Sequence, residues 1–425
     1  MKVLLVQAWL GGAESPVYPI GLASIAATLN GHDVKVFDPN VSARPYEDLK
    51  EITQSFAPDV AGVSLRNIDS TNKRVVVFYY ERLREMIDVI KSAAPHTKIA
   101  VGGAGFSMYA EEIMRDEPRI DYGVYLEGEE VFNRLLDRLA EPEKTASVYY
   151  RANGSVAFSG PGVPPSFNRL PAPAMDLVPV ESYAPFRDSI GVETKRGCAL
   201  NCIYCIYGFL NGREYRLKDP SRIVDEIEIL VNRHGAQKFT FVDSVFNIPK
   251  SHAEAIMREM IKRRVQAKWS AWFNEKGFTR EFAELAKEAG CSNFIMSPDG
   301  FSNESLKALG KNISRKDILE AYSVLRDMDG VEVSYNFFKN PPGQTLPNFI
   351  AMALFCVRAK RAMGRRVHFE FNSIRVEPHT RLHKIALDEG LVSPADSLLK
   401  PCYYTNRKTK YIETALNFLL SLKGK

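Results

Sequence analysis

The feature that most constrains the fold is an alternation of short apolar runs with amphipathic helical patterns, which occurs twice along the chain. In the first stretch the apolar runs are 2–7, 34–38, 60–65, 98–102 and 122–126. This alternation predicts parallel strands joined by helices, because parallel neighbours need a long crossover connection. We therefore expect residues 1–145 to form a doubly wound, Rossmann-like α/β domain, which binds its ligand at the carboxyl ends of the strands.

A proline-rich stretch separates the two alternations. Six prolines between 161 and 179 exclude a regular helix or a central strand, so residues 146–188 are expected to form a semi-rigid linker. Beyond it, strand candidates at 191–195, 238–243, 268–273, 293–297, 332–339 and 367–376 alternate with helices. Because a closed barrel of this type needs eight units, we expect residues 189–390 to form a partial (β/α)6 barrel. A short helical tail, 391–425, follows.

Composition limits the classes of partner. The chain has 425 residues and a net charge of +5, with 45% hydrophobic and 25% charged residues, as in soluble proteins of two or three domains. Its basic residues are interspersed with acidic ones, so we expect no nucleic-acid partner. No run reaches the roughly 18 apolar residues of a membrane span, and no signal peptide is present. These features favour a cytoplasmic protein without a membrane partner.

Three cysteines lie close together after the first strand of the second domain. Cys198, Cys202 and Cys205 form a C-x3-C-x2-C segment. Three thiolates on one loop can hold three corners of a [4Fe–4S] cluster and leave the fourth iron open. A structural zinc site needs a fourth ligand, and no other Cys or His lies within ten residues. A disulfide is disfavoured in a reducing compartment. The segment therefore predicts an iron–sulfur cluster.

The cysteine spacing, with the aromatic Tyr204 before the last cysteine, resembles the signature of the radical S-adenosylmethionine (SAM) superfamily. The resemblance implies that the three cysteines ligate the cluster, that SAM chelates the fourth iron and that Tyr204 lies near the adenine. It also implies SAM contacts from Asp243 at the end of the second strand, for which a helix N-cap is the alternative role. Asp299 stands where the family usually has a glutamate, and Lys311 matches the family's lysine before the next helix.

Other polar side chains are expected to face the cavity of the partial barrel, because functional residues of such folds lie at the carboxyl ends of strands. Glu275 follows the third strand, and Glu370 and Arg375 lie on the sixth. Polar residues are unusual in a central buried strand. We therefore take Glu275, Glu370 and Arg375 as the candidate catalytic residues.

The first domain resembles the cobalamin-binding domain of one branch of this superfamily. The resemblance is carried by Pro19-Ile20-Gly21-Leu22, by the Gly31–Asp38 stretch, by a Gly-Gly turn and by the Asp121–Glu129 strand, in which Leu126 replaces a glycine. A dinucleotide G-x-G-x-x-G motif is absent after the first strand, which disfavours NAD and FAD. The resemblance implies that cobalamin binds at Gly102, Gly103, Glu127, Gly128 and Glu129.

The cobalt is expected to lack a histidine ligand, because the chain has no D-x-H-x-x-G motif. Arg66, after the third strand, is a candidate for a non-coordinating cation beneath the cobalt. The alternative is that Arg66 pairs with Asp69 and shapes the loop.

Two cofactor domains in series suggest a reaction that needs both. The resemblance implies a C-methyltransferase that uses a [4Fe–4S] cluster, SAM and methylcobalamin to methylate a carbon centre. The alternatives are a cobalamin-dependent radical SAM enzyme that catalyses a cyclisation or rearrangement without methyl transfer, and a non-catalytic cobalamin sensor. The expected partners are a small-molecule or peptide substrate and an external electron donor such as flavodoxin or ferredoxin.

Overall fold

The computed structural model describes residues 1–12, 14–73 and 75–421, and the side chains of these ranges up to residue 418. The chain divides into two compact units. The first holds Met1–Gly191 together with His234–Ala236, and the second holds Val192–Arg233 and the chain from Gln237 onward.

The first unit is a seven-stranded sheet with helices between its parallel strands. Its strands are β1 (Lys2–Gln7), β2 (Asp33–Phe37), β3 (Val60–Ser64), β4 (Lys98–Gly102), β5 (Tyr122–Val124), β6 (Val148–Ala152) and β7 (Ser155–Phe158). Its helices are α1 (Ile20–Ala26), α2 (Pro45–Phe56), α3 (Tyr79–Ala93), α4 (Ala104–Met108), α5 (Ala110–Asp116) and α6 (Glu129–Leu136).

The strand order is β2-β1-β3-β4-β5-β6-β7, in which the first five strands run parallel. This confirms the predicted doubly wound sheet. Residues 3–6 of β1 are completely buried, as expected of a strand covered on both faces. The helix α2 begins with a proline at its first position and acidic residues in its first turn, both of which favour a helix start.

The sheet continues past the boundary that we expected at residue 145. The strands β6 and β7 form a hairpin, and β6 pairs antiparallel with β5. Asn153 (φ 50°) and Gly154 (φ 78°) form the turn, and an Asn-Gly pair with two positive φ angles is typical of a two-residue hairpin loop. Within the proline-rich stretch the structure has only short 3₁₀ turns, at Phe167–Arg169 and Met175–Leu177, with a third at Val180–Tyr183.

The second unit holds a six-stranded sheet and two small two-stranded ones. Its strands are β8 (Gly191–Val192), β9 (Lys195–Arg196), β10 (Arg216–Leu217), β11 (Lys238–Phe241), β12 (Lys268–Phe273), β13 (Cys291–Asp299), β14 (Glu332–Phe338), β15 (Val367–Asn372), β16 (Ile374–Arg375) and β17 (Tyr403–Tyr404). Its helices are α7 (Tyr207–Leu210), α8 (Pro220–Glu228), α9 (Lys250–Lys262), α10 (Arg280–Glu288), α11 (Asn303–Ala308), α12 (Arg315–Arg326), α13 (Leu346–Met363), α14 (Arg381–Asp388) and α15 (Lys410–Ser421).

The large sheet has the order β15-β14-β13-β12-β11-β8, which is chain order across one open arc. This confirms the predicted partial barrel of six strand–helix units. One predicted strand is divided: the expected run 367–376 breaks after Asn372, and β16 leaves the arc to pair antiparallel with β17.

Aromatic rings fill the layer between the large sheet and its helices. Phe241, Phe246 and Trp269 pack together, with ring centroids 4.6–5.2 Å apart. On the other side of the arc, Phe355 of α13 packs against Tyr335 of β14. Side chains of alternate strand residues point to opposite faces, so the residues between these aromatic positions lie on the concave face of the arc.

Candidate functional site

The three cysteines lie on a loop, 197–215, that is closed at its base by two short strands. β9 and β10 pair antiparallel, with Arg196 opposite Arg216. Inside the loop, the Cys198 amide donates to the carbonyl of Gly212 over 3.0 Å. Gly197 has φ 95°, and a Cβ atom there would lie 1.9 Å from the Glu214 carbonyl oxygen. Only glycine therefore fits at the start of this cysteine loop.

Two other segments of the second unit hold the middle of the cysteine loop. The Ile203 amide donates to the Leu309 carbonyl over 3.0 Å, and the Leu382 amide donates to the Ile203 carbonyl over 2.8 Å. Gly310, with φ 68°, approaches so closely that a Cβ atom would lie 2.4 Å from the Asn201 carbonyl oxygen. The loop backbone is therefore fixed on both sides before any cofactor binds.

The thiols form an electrostatically coupled group. All three are free of disulfides. Burial, together with the neighbouring thiolates, raises the pKa of Cys205 to about 12 and raises the pKa of Cys202 above its usual value. Three such thiolates need a cationic centre to be stable together. The loop supplies three thiols, one fewer than the four ligands of a structural zinc site and the number that leaves one iron of a [4Fe–4S] cluster open. The cysteine loop thus fits an iron–sulfur cluster better than zinc.

Three residues predicted separately from the sequence meet beside the cysteine loop. The Tyr204 hydroxyl donates to Asp299, and the Lys311 ammonium donates to Asp299 over 2.5 Å and to the Ser297 carbonyl over 2.6 Å. Although burial opposes it, Asp299 holds the pKa of Lys311 above its usual value, so the lysine is charged. Burial and Asp299 together raise the pKa of Tyr204 far above its usual value. Lys311 in turn favours the thiolate form of Cys202.

Asp243 has a different role from the two that we considered. Its carboxylate accepts hydrogen bonds from the amide and hydroxyl of Thr194 and from the amide and ammonium of Lys195. Two carboxylate oxygens offer about four acceptor positions, so none is left over for the amino group or ribose of SAM. The next helix, α9, begins after Pro249, so Asp243 is not its N-cap either. The residue anchors the base of the cysteine loop.

The concave face of the arc is polar on its last three strands. The Asn336 amide of β14 donates to the Ser297 hydroxyl of β13 over 3.1 Å. Glu370 lies opposite Asn336 in the β14–β15 register and is exposed. The structure thus places Glu370 on the face that we predicted for it. Ser297 and Asn336 were missed, although the alternation of polar and aromatic residues along β14 was a signal for them.

The other two candidate catalytic residues are buried, unlike Glu370. Glu275 is 2% exposed, and its Oε1 atom has no hydrogen-bond partner. Burial raises its pKa to about 7 against the opposing charge of Lys311. Arg375 belongs to β16, outside the arc, where its guanidinium is buried against the Glu377 carboxylate at 2.6 Å and the Leu398 carbonyl. The sequence interpretation placed Arg375 on strand six because the break after Asn372 has no glycine or proline to signal it.

In the first unit, the predicted glycines shape the loop that follows β3. Gly103 has φ 98°, and a Cβ atom there would lie 2.7 Å from the Leu65 carbonyl oxygen. The Gly105 amide donates to the carbonyls of Leu65 and Arg66 over 2.9 Å. Gly102 ends β4 beside Val124, where a Cβ atom would make ordinary contact at 3.4 Å. The Gly102–Gly103 turn therefore holds the loop that carries Arg66.

Arg66 contacts Glu14 rather than the Asp69 that we considered as its partner. The Arg66 guanidinium lies 3.7 Å from the Glu14 carboxylate, and its Nε atom is buried without a hydrogen-bond partner. A buried, unpaired donor at the carboxyl edge of the sheet fits a ligand with hydrogen-bond acceptors, such as the amide-bearing corrin of cobalamin.

The predicted Glu127–Glu129 turn lies at the same edge of the sheet. Leu126 before it has φ 65°, the conformation that the replaced glycine would adopt easily. Gly128 precedes α6, and a Cβ atom there would lie 3.1 Å from Ile25 of α1. Glu129 is 4% exposed, and its carbonyl accepts from the Thr28 hydroxyl over 2.7 Å. Glu127 is partly exposed beside it.

Within the described ranges, no helix combines the length and the apolar composition needed to cross a bilayer.

Comparison with known proteins gives two domain matches. Residues 7–136 match the B12 binding domain, and residues 192–356 match the radical SAM superfamily. Together the matches cover more than half of the chain.

Several curated relatives are similar over most of this chain. An uncharacterized methyltransferase of Pyrococcus horikoshii is 25% identical over 406 residues, covering 92% of this chain and 84% of the relative. The hopanoid C-3 methylase of Methylococcus capsulatus is 26% identical, covering 76% of this chain and 61% of that enzyme. The anaerobic magnesium-protoporphyrin IX monomethyl ester cyclase of Rubrivivax gelatinosus is 23% identical, covering 83% of this chain and 65% of that enzyme.

A solved structure shares the fold of both units. The radical SAM methyltransferase TsrM of Kitasatospora setae, with tryptophan and a SAM analogue bound, superposes with a TM-score of 0.81 at 21% identity, covering 97% of this chain and 87% of TsrM. Another TsrM structure contains cobalamin and a [4Fe–4S] cluster. The domain matches confirm the three expected cofactors, cobalamin, SAM and a [4Fe–4S] cluster. This chain belongs to the cobalamin-binding radical SAM enzymes.

Proposed function

We propose that this enzyme is a C-methyltransferase that transfers a methyl group from SAM, by way of cobalamin, to a carbon of its substrate. The observation that carries the proposal is the pairing of a preformed cysteine loop with a B12 binding domain in one chain. Relatives named as methyltransferases support it, among them the Pyrococcus horikoshii protein and the hopanoid C-3 methylase.

In this proposal Cys198, Cys202 and Cys205 hold the cluster, and the fixed backbone of the loop sets their positions. When bound, the cluster with SAM supplies one-electron chemistry at an otherwise unreactive carbon, and cobalamin supplies a methyl carrier. The protein's own contribution is to bind, orient and exclude water. Tyr204, Asp299 and Lys311 do this as a unit, because their buried hydrogen-bonded network presents one fixed charge pattern beside Cys202.

Cobalamin would lie at the carboxyl edge of the first sheet, against the Gly102–Gly103 turn and the Glu127–Glu129 turn. Arg66 is proposed to face the lower side of the cobalt. Because its guanidinium is always charged and cannot ligate a metal, it would leave the cobalt without a protein ligand on that side.

The substrate would bind on the concave face of the arc, where Ser297, Asn336 and Glu370 offer hydrogen-bonding groups in adjacent strands. Such a face suits a polar small molecule or a peptide. We further propose that an external electron donor, such as flavodoxin or ferredoxin, reduces the cluster.

The experiment that tests the proposal uses SAM with a deuterated methyl group. Anaerobically reconstituted enzyme is incubated with cobalamin, a reductant and candidate substrates, and products are analysed by mass spectrometry. A product heavier by one labelled methyl group supports methyl transfer. Protein that never binds cobalamin, or that consumes SAM without labelling any product, would refute it.

A reaction without methyl transfer is the second candidate. One relative, the anaerobic magnesium-protoporphyrin IX monomethyl ester cyclase, matches 83% of this chain. Such a reaction predicts an altered substrate that carries no label from SAM. The same mass-spectrometric experiment therefore separates the two reactions.

A further inference from the structure

The helix α13 is unusually apolar for the outer layer of an α/β arc. Residues 349–357 form nine consecutive apolar positions. An outer helix normally has one apolar face toward the sheet and one polar face toward water. Here the sheet-facing positions are buried as expected, with Met352, Phe355 and Ala359 at most 4% exposed. The apolar residues left over must therefore lie on the opposite face.

That opposite face is an exposed aliphatic stripe. Leu346, Ile350, Leu354 and Val357 are 45–50% exposed. At 100° per residue these four side chains fall within about 80° of the helix circumference. Exposed apolar residues scattered singly need no explanation, but a contiguous patch usually marks an interaction surface.

A cluster of unpaired arginines continues the stripe. Arg358, Arg361 and Arg365 are exposed at the end of α13 and just after it. In the part of the chain that the structure describes, none of the three has a carboxylate within ion-pair distance. The neighbouring cations are engaged instead, Lys360 with the Val367 carbonyl at 2.9 Å and Arg366 with the Met328 carbonyl at 2.6 Å. The free arginines give one end of the stripe a strong positive charge.

Charge complementarity argues against a second copy of this helix as the partner. α13 contains no Asp or Glu. In a parallel pair the arginines of two copies would face one another, and in an antiparallel pair they would meet a first turn that has no acidic residue. Neither arrangement neutralises them.

The side-chain chemistry argues for a lipid surface rather than another protein. Energetically dominant residues of protein interfaces are enriched in Trp and Tyr, whereas Leu and Val are under-represented. An aliphatic stripe beside arginines can instead enter the acyl boundary of a bilayer while the guanidinium groups reach the phosphates. This mode of contact needs no membrane-spanning run, so it is compatible with the absence of one.

We propose that α13 docks this enzyme on an anionic lipid bilayer, with Leu346, Ile350, Leu354 and Val357 inserted and Arg358, Arg361 and Arg365 at the headgroups. The inference does not depend on the reaction proposed above.

Vesicle flotation tests the proposal. Reconstituted full-length enzyme is mixed with vesicles of pure phosphatidylcholine, or of phosphatidylcholine with an equimolar amount of phosphatidylglycerol, at low and high salt. We expect binding to the anionic vesicles only, and weaker binding at high salt. The triple variant R358Q/R361Q/R365Q should partition roughly a hundredfold less, since each basic residue near an anionic surface contributes about 1 kcal/mol. The variant I350S/L354S should also fail to float.

The matched control K50Q/K262Q/K307Q removes the same number of exposed charges elsewhere and should float like the wild type. Circular dichroism checks that each variant is folded. Equal binding to both vesicle types, or an arginine variant that floats as well as the control, would overturn the proposal. A dimer in light scattering that I350S/L354S dissociates would also overturn it, because the stripe would then be an interface between two copies.

Discussion

The Lys195 ammonium lies 3.0 Å from the Asp243 carboxylate, and both side chains are at most 1% exposed. Lys195 begins the strand that closes the cysteine loop, whereas Asp243 follows β11 of the arc. The same carboxylate accepts from the amides of Thr194 and Lys195. This buried pair therefore ties the base of the cysteine loop to the arc.

Removing one partner of this pair should be costly. We expect Asp243→Ala to lower the free energy of unfolding by about 3–5 kcal/mol, because it leaves Lys195 buried without a counter-charge. Urea denaturation of the apo-protein measures this. The double variant K195M/D243L should recover only part of the loss, because it removes the buried charge of Lys195 but leaves the amides of Thr194 and Lys195 without their acceptor.

The exposed Glu259–Lys262 pair serves as the control for this prediction. Its atoms lie 3.1 Å apart and the lysine is 74% exposed, so Lys262→Ala should change stability by less than about 1 kcal/mol. If Asp243→Ala were as mild as Lys262→Ala, the anchoring role of Asp243 would be wrong.

The close approach of Gly310 to the cysteine loop predicts a specific effect on cluster binding. Gly310→Ala should lose most of its cluster, because the new methyl group would collide with the Asn201 carbonyl and displace the loop. Iron and sulfide content after anaerobic reconstitution measures this. Gly277→Ala is a matched control, since Gly277 has the same φ of 68° with nothing within 4 Å of its Cβ position. Backbone strain should lower the stability of Gly277→Ala by only about 1–2 kcal/mol, and this variant should keep its cluster.

How much of this site could be predicted from the sequence depends on the kind of contact. The cysteines, Tyr204, Asp299 and Lys311 were found because each belongs to a short motif at a strand end. That Asp299 binds Tyr204 was not predictable, because the two residues lie 95 positions apart in the chain. Lys311 is only 12 positions from Asp299, but its motif does not show which group it contacts. Asp243 was misjudged because its motif does not reveal that Thr194 and Lys195 saturate it.

Burial of Glu275 predicts a pH dependence of stability. Its pKa rises to about 7 on folding, so the folded state holds a proton that the unfolded state loses at lower pH. The contribution of Glu275 to the free energy of unfolding should therefore fall by about 3 kcal/mol as pH rises from the unfolded-state pKa to about 7. Above that pH it should stay constant.

Comparison of Glu275→Gln with the wild type checks this sign. In urea unfolding of the apo-protein, the glutamine variant should gain stability relative to the wild type as pH rises from about 5 to 8. A pH-independent difference for Glu275→Gln would contradict the buried, protonated state.

The Gly103 turn predicts an effect on cobalamin. Gly103→Ala should weaken cobalamin binding by more than tenfold, about 1.4 kcal/mol, because its methyl group would push against the Leu65 carbonyl and move the loop that carries Arg66. Absorbance of bound cobalamin after gel filtration measures this. Gly31→Ala, at φ 83° with open space around its Cβ position, should retain cobalamin. Equal loss in both variants would point to backbone strain alone.

In the rest of the fold, sequence patterns located elements better than their ends. The apolar runs of β1, β4 and β12 matched to the residue, because each is a buried strand between clear turn signals. The β6–β7 hairpin was overlooked although its Asn153-Gly154 turn was readable. The break that takes Arg375 out of the arc could not be predicted from the sequence, because it depends on pairing with residues 403–404 of β17, which are distant in the chain.

The central claim is that Cys198, Cys202 and Cys205 hold the cluster that activates SAM. The most direct measurement compares the triple variant C198S/C202S/C205S with C291S/C356S/C402S after anaerobic reconstitution. Iron content, the electron paramagnetic resonance of the reduced cluster and SAM cleavage are recorded for both. We expect the first variant to have neither cluster nor SAM cleavage and the second to keep both. A first variant that binds iron and cleaves SAM like the wild type would contradict it.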